Sequence, residues 1–214
     1  EWWGGILTAP VTASGNFVKK GGIDWSRPAN LSYSGDTVIE SGNLAFQSGG
    51  TSLPGTGRVV LANGTGLNLN GTSASISQLD VTGNATLTGG TLAVTQSLTG
   101  SGTLTNSGNL DLSGVTTISP TVSLSTTGTL TLPTGAWSVK RLILNGVIQR
   151  AGVTVTAITH PGLVTGAGTI TALEDIPIPT GLSATTTLGQ IALTWNAIPG
   201  VTSYAVRRST TPGG

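Results

Sequence analysis

The sequence predicts an all-β fold: a right-handed parallel β-helix (β-solenoid) followed by part of a β-sandwich. Three observations predict the β-helix: apolar and polar residues alternate over short segments, glycine closes each segment, and charged residues are scarce. Of the 214 residues, 33 are glycine and only 8% are charged, against about 25% in ordinary globular proteins. Because 37% of the residues are hydrophobic, the chain can bury a core, unlike a disordered chain.

The alternating segments are short and end in glycine. Examples are 66–71 (GLNLNG), 84–89 (NATLTG) and 109–114 (NLDLSG). A period of two places Leu67 and Leu69 on one face and their Asn neighbours on the other, as in a half-buried strand. The glycines recur too soon for a helix to fit between strands. Three such strands with their corners make a rung of about 18 to 22 residues, a usual size for a solenoid repeat.

Sharp corners are predicted at three Asn-Gly pairs, Asn63–Gly64, Asn70–Gly71 and Asn145–Gly146. Such corners need a positive φ, which glycine adopts without a Cβ penalty and asparagine tolerates. We therefore expect the chain to turn sharply after each short strand and to continue in the same sense.

Stacking of successive rungs accounts for the composition. A short strand with two inward apolar side chains cannot bury them alone. When rungs stack, each apolar side chain packs on the equivalent side chain of the next rung, and every backbone amide finds a partner. Threonine, serine and asparagine suit the outer face, because β-branched residues fit a pleated surface and aligned polar side chains can bond along the ladder. Stacked like charges repel, so this architecture favours a low charge content.

One segment carries a more specific motif. Residues 33–46 (YSGDTVIESGNLAF) resemble the autotransporter-associated β-strand repeat, a Ser-Gly-x-Thr-x-Ile-x-x-Gly-x-Leu pattern of bacterial secreted passengers. The resemblance implies a parallel β-helix displayed at or beyond the outer membrane. Residues 139–147 and 162–170 resemble the closing turns of such repeats, where a hairpin-like excursion covers the open end of the coil.

The carboxyl-terminal segments resemble a different family. Residues 179–184 (PTGLSA), 191–195 (IALTW) and 200–209 (GVTSYAVRRS) resemble the first three strands of a fibronectin type III module, an Ig-like sandwich, with Trp195 and Tyr204 as its inward aromatics. A sandwich of this type needs about seven strands. Three strands alone would leave an apolar face and open edges, so we expect another copy of the chain or an adjoining domain to cover them.

These patterns divide the chain into four parts. We predict an amino-terminal cap and first rung in 1–32, and the parallel β-helix in 33–172 with its carboxyl-terminal cap from about 139. An acidic, proline-punctuated linker follows in 173–179. The incomplete module occupies 180–214.

Aromatic residues are the candidate assembly contacts. Trp2, Trp3 and Trp25 gather near the amino end, where they are expected to cap the first rung, since an uncovered solenoid end is an open edge. A subunit contact is the second interpretation, because tryptophan is favoured at interface centres, and stacking on a sugar is the third. Trp195 and Tyr204 are the corresponding candidates at the carboxyl end.

Catalytic and metal-binding patterns are sparse. Polysaccharide cleavage on a β-helix needs two carboxylates about 5 to 10 Å apart, but Asp80 and Asp111, the acids within the regular coil, are predicted to lie more than one rung apart; a paired acid site is the weaker alternative. His160, the only histidine, lies in a turn, and we interpret it as a solvated loop residue. The chain has no cysteine and no calcium-solenoid repeat. We therefore expect neither an enzyme nor a cofactor or metal.

Charge and hydropathy limit the partners. The basic residues are isolated or in short pairs, and we interpret the pairs as solvated faces or edge protection: Lys19–Lys20, Lys140–Arg141 and Arg207–Arg208. This pattern is unlike the basic footprint that binds a phosphate backbone, and no run of 18 apolar residues occurs. Neither nucleic acid nor a membrane span is expected.

The sequence as a whole predicts an extracellular structural scaffold, secreted or on a cell surface, of the filament or adhesin type. Its expected partners are copies of itself, joined through solenoid ends and the incomplete module, or adjoining domains of a longer chain. Because the sequence opens at Glu1 without a leader, we expect any export signal to have been removed or to lie outside this sequence. The alternative is a carbohydrate-binding or polysaccharide-degrading β-helix module with surface glycans as partners.

Overall fold

The computed structural model divides the chain into two units, Glu1–Asp175 and Ile176–Gly214. The structure describes residues 11–21, 25–27, 31–46, 53, 57–175, 179–187, 190–196, 204 and 206. Throughout these residues the regular elements are β-strands, and there is no helix. A helix of the length and hydropathy needed to cross a bilayer is accordingly not found in the described ranges.

The strands follow one another at short intervals. In the first part of the chain they are β1 (Val11–Ala13), β2 (Phe17–Lys19), β3 (Trp25–Arg27), β4 (Leu31–Tyr33), β5 (Thr37–Ile39), β6 (Asn43–Phe46), β7 (Arg58–Leu61), β8 (Thr65–Asn68) and β9 (Ser73–Val81). The middle strands are β10 (Asn84–Thr88), β11 (Thr91–Gly100), β12 (Thr103–Asn106), β13 (Asn109–Asp111), β14 (Thr117–Ile118), β15 (Ser123–Thr126), β16 (Leu130–Leu132) and β17 (Ala136–Val139). The last strands are β18 (Arg141–Leu144), β19 (Val147–Ile148), β20 (Thr154–Val155), β21 (Val164–Gly166), β22 (Thr169–Ala172), β23 (Ser183–Thr187) and β24 (Gln190–Thr194).

Two long sheets run through the first unit. One, the eight-strand sheet, has the order β3-β6-β8-β10-β12-β15-β18-β19. The other, the nine-strand sheet, has the order β2-β5-β7-β9-β11-β13-β16-β21, with β14 also paired to β11. All neighbours in the nine-strand sheet are parallel, and those of the eight-strand sheet are parallel up to β18. The predicted parallel β-solenoid is therefore confirmed.

The rung length agrees closely with the sequence period. Residues that lie opposite each other on adjacent rungs are between 18 and 23 positions apart, as in Thr91 opposite Asn109 and Asn43 opposite Gly66. The exception is the last rung, where Leu130 lies opposite Val164. The additional residues of that rung form the excursion that the sequence predicts near the end of the coil.

The core is a set of aliphatic columns inside the coil. Ile39, Leu61 and Val81 lie in register on successive rungs, and each is fully buried. Leu67 and Leu69, predicted to point inward, are also buried. Each rung thus buries apolar surface against the rungs on both sides of it, and burial of this kind is the main favourable term in folding.

The predicted Asn-Gly corners adopt left-handed conformations. Asn70 and Gly71 have φ values of 45° and 81°, and Asn145 and Gly146 have φ values of 50° and 76°. At the first corner Gly64 has φ 73°. Because side chains other than those of asparagine and glycine rarely tolerate this region, these pairs let the chain turn without strain.

The carboxyl-terminal end of the solenoid changes direction. After the turn at Asn145–Gly146, β19 pairs with β18 in antiparallel fashion and becomes the terminal strand of the eight-strand sheet. A further small sheet, in the order β17-β22-β20, combines a parallel and an antiparallel pair. The regular parallel ladder of the eight-strand sheet therefore ends in a hairpin.

The second unit is described only in part. Its described part is an antiparallel pair, β23 and β24, extended by a hydrogen bond from the Asn196 backbone N–H to the Thr180 carbonyl oxygen at 2.8 Å. A fibronectin type III sandwich is not confirmed, since the third strand predicted for 200–209 falls mostly outside the described residues.

Candidate functional surfaces

The predicted aromatic contacts of the amino end can be placed only in part. Trp2 and Trp3 lie outside the described residues. The backbone of Trp25 lies in β3, in register with Leu44 of β6. The prediction that these three residues cap the first rung therefore stays a prediction.

The prediction that the pair Lys19–Lys20 forms a solvated face is wrong for Lys19. Its side chain is fully buried, because strand alternation places it in the same inward column as Ile39 and Leu61. The Nζ atom donates to the carbonyl oxygens of Lys20 at 3.2 Å, Gly21 at 2.8 Å and Ser41 at 3.0 Å. An amine has to keep such partners when it leaves water. Lys19 thus closes the column with a hydrogen-bonded polar group.

Trp195 and Tyr204 lie together in the second unit. Their ring centroids are 5.2 Å apart in an edge-to-face arrangement, a geometry that aromatic quadrupoles favour. Trp195 is half-buried, whereas Tyr204 is 37% exposed. Trp195 and Tyr204, the assembly contacts predicted at the carboxyl end, therefore pack against each other, and the Tyr204 ring remains accessible to solvent.

Apolar side chains that are close to this aromatic pair in the sequence are exposed to solvent. Ile191 lies opposite Thr186, and Leu193 lies opposite Ala184, so these four share one face of the hairpin. Ile191 is 69% exposed, and Leu193 and Val206 are exposed as well. The apolar face predicted for three isolated strands is thus found on the described hairpin.

The outer face of the nine-strand sheet carries an ion triad that sequence reasoning missed. The Arg58 guanidinium lies 2.9 Å from an Asp36 carboxylate oxygen and 3.5 Å from an Asp80 carboxylate oxygen. The three side chains come from β7, β9 and the residue before β5. The signal was present in the sequence, because Arg58 lies one rung length from each aspartate. All three remain partly exposed, which limits the energy of the pairs.

A shallow polar depression lies on the eight-strand sheet. Gly66 has no side chain on the outer face, and the neighbours in its column are Asn43 and Thr86. Asn68 and Thr88 lie in the next outward column. The depression has a volume of about 130 Å³, and its polar groups are amides and hydroxyls. It can offer hydrogen bonds to a small uncharged ligand.

The residues considered for catalysis do not converge. Asp80 is in register with Thr99, whereas Asp111 is in register with Ala93, so the two aspartates lie on different rungs and at different positions along the strands. His160 lies in the loop before β21, where its Nδ1 is 3.0 Å from the Thr159 hydroxyl. Within the described ranges no group of three acidic or histidine side chains is placed to hold a metal ion.

Comparison with known proteins finds no relative of this chain. No family model matches the chain, no curated protein is similar to it, and no solved structure matches its fold. The family resemblances are therefore carried by the sequence motifs alone, and the solenoid is established by its own strand register.

Proposed function

We propose that this chain is an extracellular structural scaffold of the filament or adhesin type, built on a right-handed parallel β-helix and displayed or secreted like the passengers that its 33–46 motif resembles. The single observation that carries the proposal is the uninterrupted parallel ladder from β2 to β21. A right-handed coil is favoured because a right-twisted strand returns to its sheet most readily in that sense.

The distribution of side chains supports a rod rather than a catalyst. The interior is filled by aliphatic columns, and the buried Lys19 donates hydrogen bonds to three backbone carbonyl oxygens. The outer faces carry mostly Thr, Ser and Asn, with few charges. Such a structure resists local opening, because every inner rung is held by two neighbours.

Self-association is the second part of the proposal. The hairpin face that carries Ile191, Leu193 and the Trp195–Tyr204 pair exposes apolar surface, and surfaces of this kind mark interaction sites in soluble proteins. We assign this face to contacts with another copy of the chain, in which tryptophan and tyrosine would act as anchors.

Light scattering and negative-stain electron microscopy of the full chain test the proposal. We expect rods or larger assemblies, and we expect the Ile191→Ser/Tyr204→Ser variant to shift the population toward monomers. Thr185→Ala, on the opposite face of the same hairpin, is the matched control and should assemble normally. Monodisperse monomers of the unmodified chain with an ordered hairpin would contradict the proposal.

A carbohydrate-binding module is the second candidate, favoured by the polar depression around Gly66. Its amides and hydroxyls suit an uncharged, hydroxyl-rich ligand. A glycan array with a reducing-sugar assay would reveal binding or turnover. Thr88→Val should then weaken binding, whereas Thr105→Val, two rungs from Gly66 on the same sheet, should not. Absence of binding from the array would remove this candidate.

A further inference from the structure

Two successive corners of the solenoid are built from the same tetrapeptide pattern, x-Asn-Gly-Thr. In the first, 62–65, the Thr65 hydroxyl donates to the Ala62 carbonyl oxygen at 2.7 Å. In the second, 69–72, the Thr72 hydroxyl and backbone N–H donate to the Leu69 carbonyl oxygen at 2.6 Å and 2.8 Å. The threonine closes each turn, and the asparagine lies at its apex.

These corners also contain the sequence Asn-x-Thr/Ser, which is the acceptor pattern for N-linked glycosylation. The chain has this pattern at Asn30, Asn63, Asn70 and Asn84. In a chain rich in Thr and Ser the pattern arises readily by composition. The position of each asparagine in the fold must therefore decide which of them can accept a glycan.

Asn70 lies at an exposed corner. Its backbone N–H donates to Asn68 Oδ1 at 2.9 Å. The next rung presents Gly89 at this corner, which has no side chain, and the space beside Gly71 is open. A group attached to the amide of Asn70 can therefore extend into solvent without displacing a neighbour.

The other acceptor patterns are more constrained. Asn63 Oδ1 accepts a hydrogen bond from the Asn84 backbone N–H at 3.1 Å, so these two asparagines meet at one corner. Asn84 is also in register with Thr103 on the following rung. The side-chain oxygen of Asn63 is therefore engaged in a contact between rungs. Asn30 lies outside the described residues.

We propose that Asn70 is the acceptor of an N-linked glycan. A bond forms between Asn70 Nδ2 and the anomeric carbon of a sugar carried by a nucleotide- or lipid-linked glycosyl phosphate donor. The bond from that carbon to the phosphate oxygen breaks, the phosphate leaves with the electron pair, and the amide loses one proton. This inference rests on the proposed extracellular function. A glycan at the corner would leave both long sheets uncovered and add a polar group to a surface with few charges.

Peptide mapping of the full chain, secreted from a cell line that performs N-glycosylation, tests this. The peptide that contains Asn70 should carry a glycan, and peptide N-glycosidase in ¹⁸O-labelled water should convert Asn70 to labelled aspartate. Thr72→Val should abolish the modification while leaving the asparagine in place, and Thr72→Ser should retain it. If Thr72→Val loses the glycan and Thr72→Ser keeps it, the loss is due to acceptor recognition and not to a general change in the structure of the corner.

Asn145 supplies the matched control. Its corner has nearly the same φ values as the corner at Asn70, but Val147 follows in place of threonine and is exposed. Val147→Thr should create a second acceptor. A glycan at Asn145 of this variant with none at Asn70 would overturn the inference, and absence of glycan from both would overturn it equally. Light scattering on the same material reports assembly separately, so failure of the scaffold proposal would be distinguishable.

Discussion

The solenoid and the carboxyl-terminal hairpin use the same local pattern with opposite outcomes. In the solenoid, Leu130-Thr131-Leu132 buries both leucines. In the hairpin, Ile191 and Leu193 have the same spacing around Ala192, yet Ile191 remains 69% exposed. The difference lies in the second layer of structure. An inner solenoid strand has a strand on each side and apolar side chains opposite it, whereas β23 and β24 have only each other among the described residues.

This comparison separates strand formation from strand stability. Alternation and β-propensity are sufficient to pair β23 with β24, but a two-strand ribbon has no interior in which to bury its apolar face. Each rung of the solenoid supplies that interior for the next rung. We therefore expect substitutions in the two regions to differ in effect even where the residue type is the same.

The largest difference is expected for leucine. Leu104 is fully buried, and Leu104→Ala should lower the free energy of unfolding by about 3–5 kcal/mol because it leaves a cavity. Leu193→Ala, at a position that is 36% exposed in the hairpin, should cost less than about 1 kcal/mol. Urea unfolding followed by circular dichroism measures both values. Equal losses would show that the hairpin has an interior of its own.

The next largest loss of stability is expected where the backbones of adjacent rungs are in direct contact. A Cβ on Gly128 would overlap the Gly108 carbonyl oxygen on the preceding rung, so Gly128→Ala should cost about 3 kcal/mol through overpacking. Gly114 provides the milder control, since the nearest atom to its added Cβ is the Thr95 Cα at 3.3 Å. Gly114→Ala should cost less than about 1 kcal/mol. A near-neutral Gly128→Ala in thermal unfolding would mean that adjacent rungs can separate easily.

Two asparagines, one buried in the solenoid and one exposed in the second unit, extend the comparison to polar side chains. Asn106 is buried, and its Nδ2 donates to the Gly108 carbonyl and the Thr126 hydroxyl, both at 3.0 Å. Asn106→Ala leaves buried groups without partners and should cost about 2 kcal/mol. Asn196 in the second unit is exposed and donates to the Thr180 hydroxyl at 3.2 Å.

Asn196→Ala should change the free energy of unfolding by no more than about 0.5 kcal/mol, because water replaces the lost bond. Chemical denaturation of both variants provides the measurement, with hydrogen exchange at Gly108 as a local readout for Asn106. A larger loss at Asn196 than at Asn106 would contradict the view that burial sets the cost.

The sequence predicted the features that depend on short-range pattern. The alternation in 66–71, the left-handed Asn70 and the rung length all follow from local sequence and from the need to stack. These predictions did not require knowledge of which rungs face each other. For the same reason, the inward direction of Leu67 and Leu69 was predictable.

The features that were missed depend on register between rungs. The rung length varies between 18 and 23 residues, so the residue opposite Lys19 cannot be fixed from a mean period. Lys19 was interpreted as solvated because lysine is rarely buried, and only the strand register places it in an apolar column. The fibronectin type III expectation is not confirmed, because most of the segment 200–209 that would carry its third strand lies outside the described residues.

A small effect is expected on the outer face, where the solenoid should behave as the exposed hairpin does. Arg58→Gln removes both ion pairs of the triad with Asp36 and Asp80, yet partly exposed pairs contribute at most about 1 kcal/mol each. We expect a loss of about 1 kcal/mol at low ionic strength that disappears at high salt, since about 1 M salt shortens the Debye length to about 3 Å. Arg150→Gln is the control, because Arg150 is exposed and makes no ion pair among the described residues. A salt-independent loss of several kcal/mol in urea unfolding would mean that the triad holds adjacent rungs together, and that the outer face, like the interior, determines the stability of the coil.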